Sequence, residues 1–204
     1  MSRRSYLLRL PDGYDELECI NTTGTAAFAV AYDSTPNTRG FSVTFRKTES
    51  PTSAGAFCGC ARSGYAAFAL RIATNGVVSY MYIPQGSTSY AYKSTKYTNG
   101  NYLTTSYINE TLTYCDGTTE TAPAMETHAT TFSYFGIGGY YGTKLNANNR
   151  GMTISFHHVQ LFNGTTAVID LIPARRRSDS KIGMYDIINN VFYSSTTSTE
   201  FTTN

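Results

Sequence analysis

The chain has 204 residues, 41% of them hydrophobic and 15% charged, which suits one globular domain of ordinary size and excludes disorder as the main state. Sixteen Lys and Arg against fourteen Asp and Glu leave a net charge of +2, too little counterion release to drive nucleic-acid affinity. The basic start around Arg3 and Arg4 leads into an apolar run that Arg9 breaks, and no run approaches the roughly 18 to 20 apolar residues of a bilayer span, so the reading is neither span nor signal peptide.

Tyr (17) and Phe (11) are abundant, Trp is absent, and good helix formers are scarce, a composition that favours β-sheet. Short alternating runs recur between turn signals such as Pro11-Asp12-Gly13, Asn75-Gly76, Asn99-Gly100, Asp116-Gly117 and Asn163-Gly164. In chain order they predict strands near 16–20, 25–32, 40–46, 55–61, 66–73, 76–83, 88–93, 102–107, 111–115, 132–138, 152–162, 165–172, 181–185 and 191–194. That many short strands with tight turns predicts an all-β, two-sheet antiparallel jelly-roll sandwich.

Individual elements carry more detail. Around Val77 to Ile83 both faces have apolar or aromatic weight, which places the strand inside a sheet rather than at its edge. Met152, Ile154 and Phe156 alternate in one phase and Val159 and Leu161 in the other, so a β-bulge is expected at His157-His158. Asn163-Gly164 then predicts one long hairpin over 152–172. Residues 116–130 read as a long exposed loop. The organisation expected is a basic N-terminal arm over 1–9, one sandwich domain over 10–193, and a Ser/Thr-rich tail over 194–204 with the texture of a disordered linker, anchored if at all by Phe201.

Leu10-Pro11-Asp12-Gly13-Tyr14 through Cys19-Ile20-Asn21-Thr22-Thr23-Gly24, together with Leu161-Phe162-Asn163-Gly164, Asp170-Leu171-Ile172-Pro173, Ile182-Gly183-Met184-Tyr185-Asp186 and Val191-Phe192-Tyr193, resembles the concanavalin-like, laminin-G-like jelly-roll modules of phage virion proteins and gut-bacterial surface proteins. The two signatures sit at opposite ends of the chain and frame residues 10–193, while 40–150 matches in strand texture alone. The resemblance implies a fold and says little about ligand. This chain departs from the pattern at Ala26 and Ala27, where the family commonly carries a larger side chain. Hydrolases of this fold carry Glu-x-Asp-x-x-Glu on one strand, and that motif is absent. Its nearest relative here, Asp15-Glu16-Leu17-Glu18, puts Glu16 and Glu18 on one face of the predicted strand, exposed or ion-paired.

The candidate chemistry is sparse. His157 and His158 are adjacent and point to opposite faces of a regular strand, so a shared metal would need the bulge to re-aim one of them, with His128 as a third ligand. Cys19, Cys58, Cys60 and Cys115 read as reduced apolar fillers, Cys58 and Cys60 on one buried face. No nucleophile elbow is present, and Gly136-Ile137-Gly138-Gly139 lacks the helix and Lys of a phosphate loop. No cofactor or metal is implied, and a structural Ca²⁺ is left open because loop oxygens abound without a recognisable spacing.

Two surface features remain. Tyr90, Tyr92, Tyr97, Tyr102 and Tyr107, with Asn99 and Asn101 among them, form a candidate glycan platform, since aromatic faces stack on pyranose rings. Arg3, Arg4 and Arg9 form one basic run and Arg175, Arg176 and Arg177 another on an otherwise slightly acidic chain, a candidate docking surface. The function expected is non-enzymatic: a surface module, first of all a phage virion component for capsid decoration or tail-fibre adhesion. It would be made in the host cytoplasm and carried in several copies on the particle. It would dock on other virion proteins and bind glycans, with no nucleic-acid partner and no membrane insertion. The alternatives are a bacterial surface lectin or, last, a divergent glycoside hydrolase.

Overall fold

The computed structural model describes residues 10–22, 25–34, 39–47, 54–62, 66–82, 89, 91–95, 100–121, 132–142, 144–147 and 153–204. They form two sheets. The first has ten strands: β1 (Tyr14–Glu16), β2 (Ile20–Thr22), β4 (Arg39–Lys47), β9 (Leu103–Ile108), β10 (Thr111–Thr113), β11 (Thr119–Thr121), β15 (Ile154–Asn163), β16 (Thr166–Arg176), β17 (Ile182–Asp186) and β18 (Val191–Ser194). The second has eight: β3 (Phe28–Ser34), β5 (Gly55–Arg62), β6 (Ala66–Ile72), β7 (Val78–Tyr82), β8 (Ala91–Thr95), β12 (Phe132–Ile137), β13 (Tyr140–Tyr141) and β14 (Leu145–Asn146). All pairings are antiparallel except the short contact of β13 with β5. The all-β two-sheet sandwich read from the composition is the observed architecture. No helix among the described residues is long and apolar enough to cross a membrane.

Strand alternation builds the core. In β4, Phe41, Val43 and Phe45 are buried and Ser42, Thr44 and Arg46 face out. The inward residues meet aromatic side chains of the other sheet: Phe41 lies edge-on to Phe68 at 5.0 Å, and Phe45 packs on Phe57 at 4.9 Å. Strand β7 is buried along its whole length, with Val78, Tyr80 and Tyr82 in the main core. Its Met81 packs on the opposite face with Ala56, Ala69 and Tyr140. The strand is thus internal, between β6 and β8, as its two-faced apolar pattern indicates.

The bulge expected at His157-His158 is present, because the register of β15 against β4 shifts between Phe156 and His158. Ile154 and Phe156 point into the core before the shift, and Val159 and Leu161 after it. The long hairpin is also present: β15 and β16 pair from Val159↔Leu171 to Asn163↔Thr166 around Gly164, whose φ is +62°.

Three expectations need correction. The single strand at 16–20 is two short strands, because β1 pairs with β16 and β2 with β15, and Leu17 to Cys19 cross between them. Glu16 and Glu18 therefore share no strand face. The stretch 116–130 contains strand β11, which pairs with β10 after a turn in which Asp116 Oδ1 accepts the Thr118 N–H at 3.0 Å; residues 122–131 lie outside the described set. The tail is docked rather than linker-like. Phe201 is buried edge-on to Phe28 at 5.7 Å, Thr202 exchanges backbone hydrogen bonds with Asn21, and Thr196 N–H donates to Ala27 O. Burying one phenyl ring contributes about 2 kcal/mol, enough to hold a short polar segment that makes these bonds as well.

Candidate functional site

At the side of the sandwich, where β3 faces the β15–β16 hairpin and the β17–β18 turn, lies a cleft of about 370 Å³ lined by Ala31, Tyr32, Asn163, Val168, Ile169, Asn189 and Tyr193. Its frame is fixed by the turn Asp186-Ile187-Ile188-Asn189-Asn190. The Asp186 carboxylate is fully buried, and Oδ1 accepts the backbone N–H of Asp170 (3.2 Å), Ile188 (3.0 Å) and Asn189 (3.3 Å). Oδ2 accepts the side-chain amide of Asn189 at 2.7 Å. Asn190 closes the turn at φ +58°, a left-handed conformation that asparagine tolerates better than most residues.

Asn189 also donates through Nδ2 to the carbonyl of Val168 at 2.9 Å, which ties the turn to β16. Both protons of its amide are thus engaged, and no described residue donates to its Oδ1. Asn163, beside the hairpin turn, is exposed, and its side-chain amide has no partner among the described residues. Tyr193 stacks on Phe28 with 5.5 Å between ring centroids and 12° between planes, so one face of its ring is covered. Burial and then the nearby Asp186 charge hold its phenol above the usual range, so it stays neutral. The Tyr32 hydroxyl is engaged by the backbone: it accepts from Gly40 N–H at 3.0 Å and donates toward Phe162 O at 2.5 Å. The cleft therefore presents neutral amide and phenol groups over an aliphatic floor of Ala31, Val168 and Ile169.

The described tyrosines of the predicted platform, Tyr92, Tyr102 and Tyr107, do not share one surface. Tyr92 is on the outer face of the eight-stranded sheet, 44% exposed, with the Arg71 guanidinium 4.9 Å over its ring. Tyr102 is on the outer face of the other sheet, held between Arg46 at 4.7 Å and His157 at 5.1 Å, and burial raises its phenol above the usual range. Tyr107 is in the core, stacked on Tyr80 at 5.4 Å. The alternation of strand faces separates residues that are close in sequence. Asn101 is exposed, while Tyr90, Tyr97 and Asn99 lie outside the described residues.

The second basic run is charge-compensated. Arg176 makes a bidentate pair with Asp179, Nε–Oδ1 3.0 Å and Nη2–Oδ2 2.7 Å, and lies 5.0 Å over the Phe192 ring. This pairing lowers the Asp179 carboxyl to about 2. Arg177 pairs with Asp15 at 2.7 Å, and Arg175 sits opposite Asp15 in the β1–β16 register. Arg3, Arg4 and Arg9 lie outside the described residues.

The histidines take separate roles. His157, at the bulge, binds the carbonyl oxygen of Glu18 through Nδ1 at 2.5 Å, and His158 Nε2 meets Asp170 Oδ1 at 2.6 Å, with Gln160 on the other oxygen at 3.0 Å. Both line a small depression of about 180 Å³ with Glu16 and Thr44, yet among the described residues no three His, Cys, Asp or Glu side chains are placed to hold a metal ion. His128 lies outside the described residues. All four cysteines are free and buried, and burial raises the Cys60 and Cys115 thiols to about 12. Asn163 and Tyr193 stand in a predicted turn and a predicted strand; what brings them together with Asn189 is the packing of β3 against the two turns.

No protein-family model matches the chain, and no curated protein matches its sequence. Among solved structures it is similar to Trypanosoma rangeli sialidase in complex with sialic acid, with a TM-score of 0.47 and 13% identity over 76% of this chain. It is also similar to the same organism's sialidase in complex with the inhibitor DANA, with a TM-score of 0.42 and 10% identity over 75% of this chain. The chain spans 27% of the length of each of those structures. At this identity and score the likeness bears on neither ligand nor activity. The class the fold defines is the all-β, two-sheet antiparallel sandwich.

Proposed function

We propose that this chain is a non-catalytic β-sandwich adhesion module that binds neutral carbohydrate in the side cleft. The observation that carries the reading is the cleft's make-up: two amides and a phenol, none charged, over an aliphatic floor, on turns fixed by a buried Asp186. Concave sites of mixed apolar and convergent polar lining are where small ligands bind. Asp186 supports the non-catalytic reading, because its oxygens are engaged by N–H groups of its surroundings. A glycosidase needs instead a pair of carboxyl groups open to the glycosidic bond.

The setting is a virion surface, where the module docks on neighbouring virion proteins in multiple copies. What supports this is the uncharged, Thr-, Ser-, Asn- and Tyr-rich composition and the resemblance of the opening and closing motifs to virion jelly-roll modules. Titration of the ¹⁵N-labelled chain with neutral oligosaccharides tests the binding. Amide shifts centred on Ala31, Asn163 and Asn189 are expected, and no shift with any neutral sugar overturns the carbohydrate reading. Mass spectrometry of gradient-banded particles tests the setting, which falls if the chain is absent from them.

A further inference from the structure

We infer that the sugar taken by the cleft carries an acetamido group, as an N-acetylhexosamine does; the inference rests on the carbohydrate reading above. An acetamido group offers a carbonyl acceptor, an N–H donor and a methyl group within one planar unit. The cleft offers the complement of each. Asn163 supplies free amide protons for the carbonyl. Asn189 supplies Oδ1 for the N–H, and its orientation is set because both of its own protons are held by Val168 O and Asp186 Oδ2. Ala31, Val168 and Ile169 receive the methyl.

A plain hexose fits this lining less well. Its hydroxyls find amide partners, but its apolar face wants an open aromatic ring. Here Tyr32 is buried and the Tyr193 ring has one face covered by Phe28, so the described lining offers little open aromatic surface. Where the acetamido group offers a separate donor, acceptor and methyl, a hexose offers one hydroxyl, so it leaves one hydrogen bond and the methyl contact unmade. An acidic sugar is disfavoured too, because the described lining holds no cation and the Asp186 charge is close to Asn189 and Tyr193.

The test is saturation-transfer NMR and calorimetry on the full chain with N-acetylglucosamine and, separately, glucose. The strongest saturation is expected on the acetamido methyl, with affinity for glucose at least ~10-fold lower, the factor one net hydrogen bond supplies. Asn163→Ala, at an exposed position, is expected to weaken N-acetylglucosamine binding at least fivefold with an unchanged circular dichroism spectrum. Equal affinity for the two sugars, or a methyl that receives no saturation, overturns the acetamido inference and leaves the carbohydrate reading standing. Binding untouched by Asn163→Ala in a folded variant also overturns it. No binding of either sugar overturns both.

Discussion

Asp186 and Asn189 hold each other across one turn: the carboxylate takes the side-chain amide at 2.7 Å and the backbone N–H at 3.3 Å. Because Asp186 is fully buried, removing it leaves four N–H groups of Asp170, Ile188 and Asn189 without their acceptor. Asp186→Ala is expected to cost about 3 kcal/mol, measured as a lowered urea midpoint. It is also expected to shift the NMR signals of the cleft, Tyr193 and Asn163 among them. A variant as stable as the parent would show that water replaces the carboxylate at no loss.

The docked tail makes a second prediction. Phe201→Ala removes a fully packed ring from the surface of Phe28 and is expected to cost about 3 kcal/mol. Hydrogen exchange at Asn21 and Thr196, whose N–H groups bond to Thr202 O and Ala27 O, should quicken with it. Unchanged protection at those amides would mean that the tail holds without its anchor.

The thiols give an alkaline limit. Burial raises Cys60 and Cys115 to about 12 from an unfolded value near 9, so between those values the folded chain binds more protons than the unfolded one. The contribution of these thiols to stability is therefore fully present below about pH 9 and is lost as pH rises toward 12. The slope is about 1.4 kcal/mol per pH unit for each thiol. Thermal unfolding between pH 8 and 11 should show the fall, and Cys60→Ala should flatten it. A thiol-reactive dye should label the native chain at pH 8 far more slowly than the urea-unfolded chain.

The compensated arginines give a fourth handle. With Arg176 held by Asp179 and Arg177 by Asp15, the carboxylates screen the run from other anions. Replacing Asp15 and Asp179 with Asn together is expected to delay elution from a sulfated polysaccharide column, more at low salt than at high. Identical elution of parent and variant would show that the ion pairs do not mask the guanidinium charge.

Much of the architecture is legible in the residues themselves. The phase change between Phe156 and Val159 marks the bulge, and Asn163-Gly164 marks the hairpin, because side-chain alternation and turn chemistry are local properties. What is not legible is which strand lies beside which. The break of 14–22 into β1 and β2 follows from pairing with β16 and β15, more than 130 residues away in sequence. The Ser- and Thr-rich tail looks unstructured until Phe28 and Ala27 are placed next to it. Tyr92 and Tyr102 part for the same reason: they are ten positions apart, yet Tyr92 is in β8 of the smaller sheet and Tyr102 packs on Arg46 of β4 in the larger. Arg39 shows the limit from the other side. Nothing in its local sequence marks it, yet it is buried, 5.7 Å from the Phe68 ring, and desolvation lowers its pKa.

The extra residue at His157 also bears on how the chain reaches its native pairing. A uniformly alternating strand that slips two positions keeps its apolar residues on the correct side, and such a mispaired sheet is a durable trap. Strand β15 is pinned in another way. Its two halves carry apolar residues in opposite phases, Ile154 and Phe156 before the bulge and Val159 and Leu161 after it, so a pairing with β4 that omits the extra residue at His157 satisfies one half and turns the other to water. The irregularity is thus what lets one long strand keep both halves dry, and deletion of His157 should give a chain that binds a hydrophobic dye more strongly than the parent.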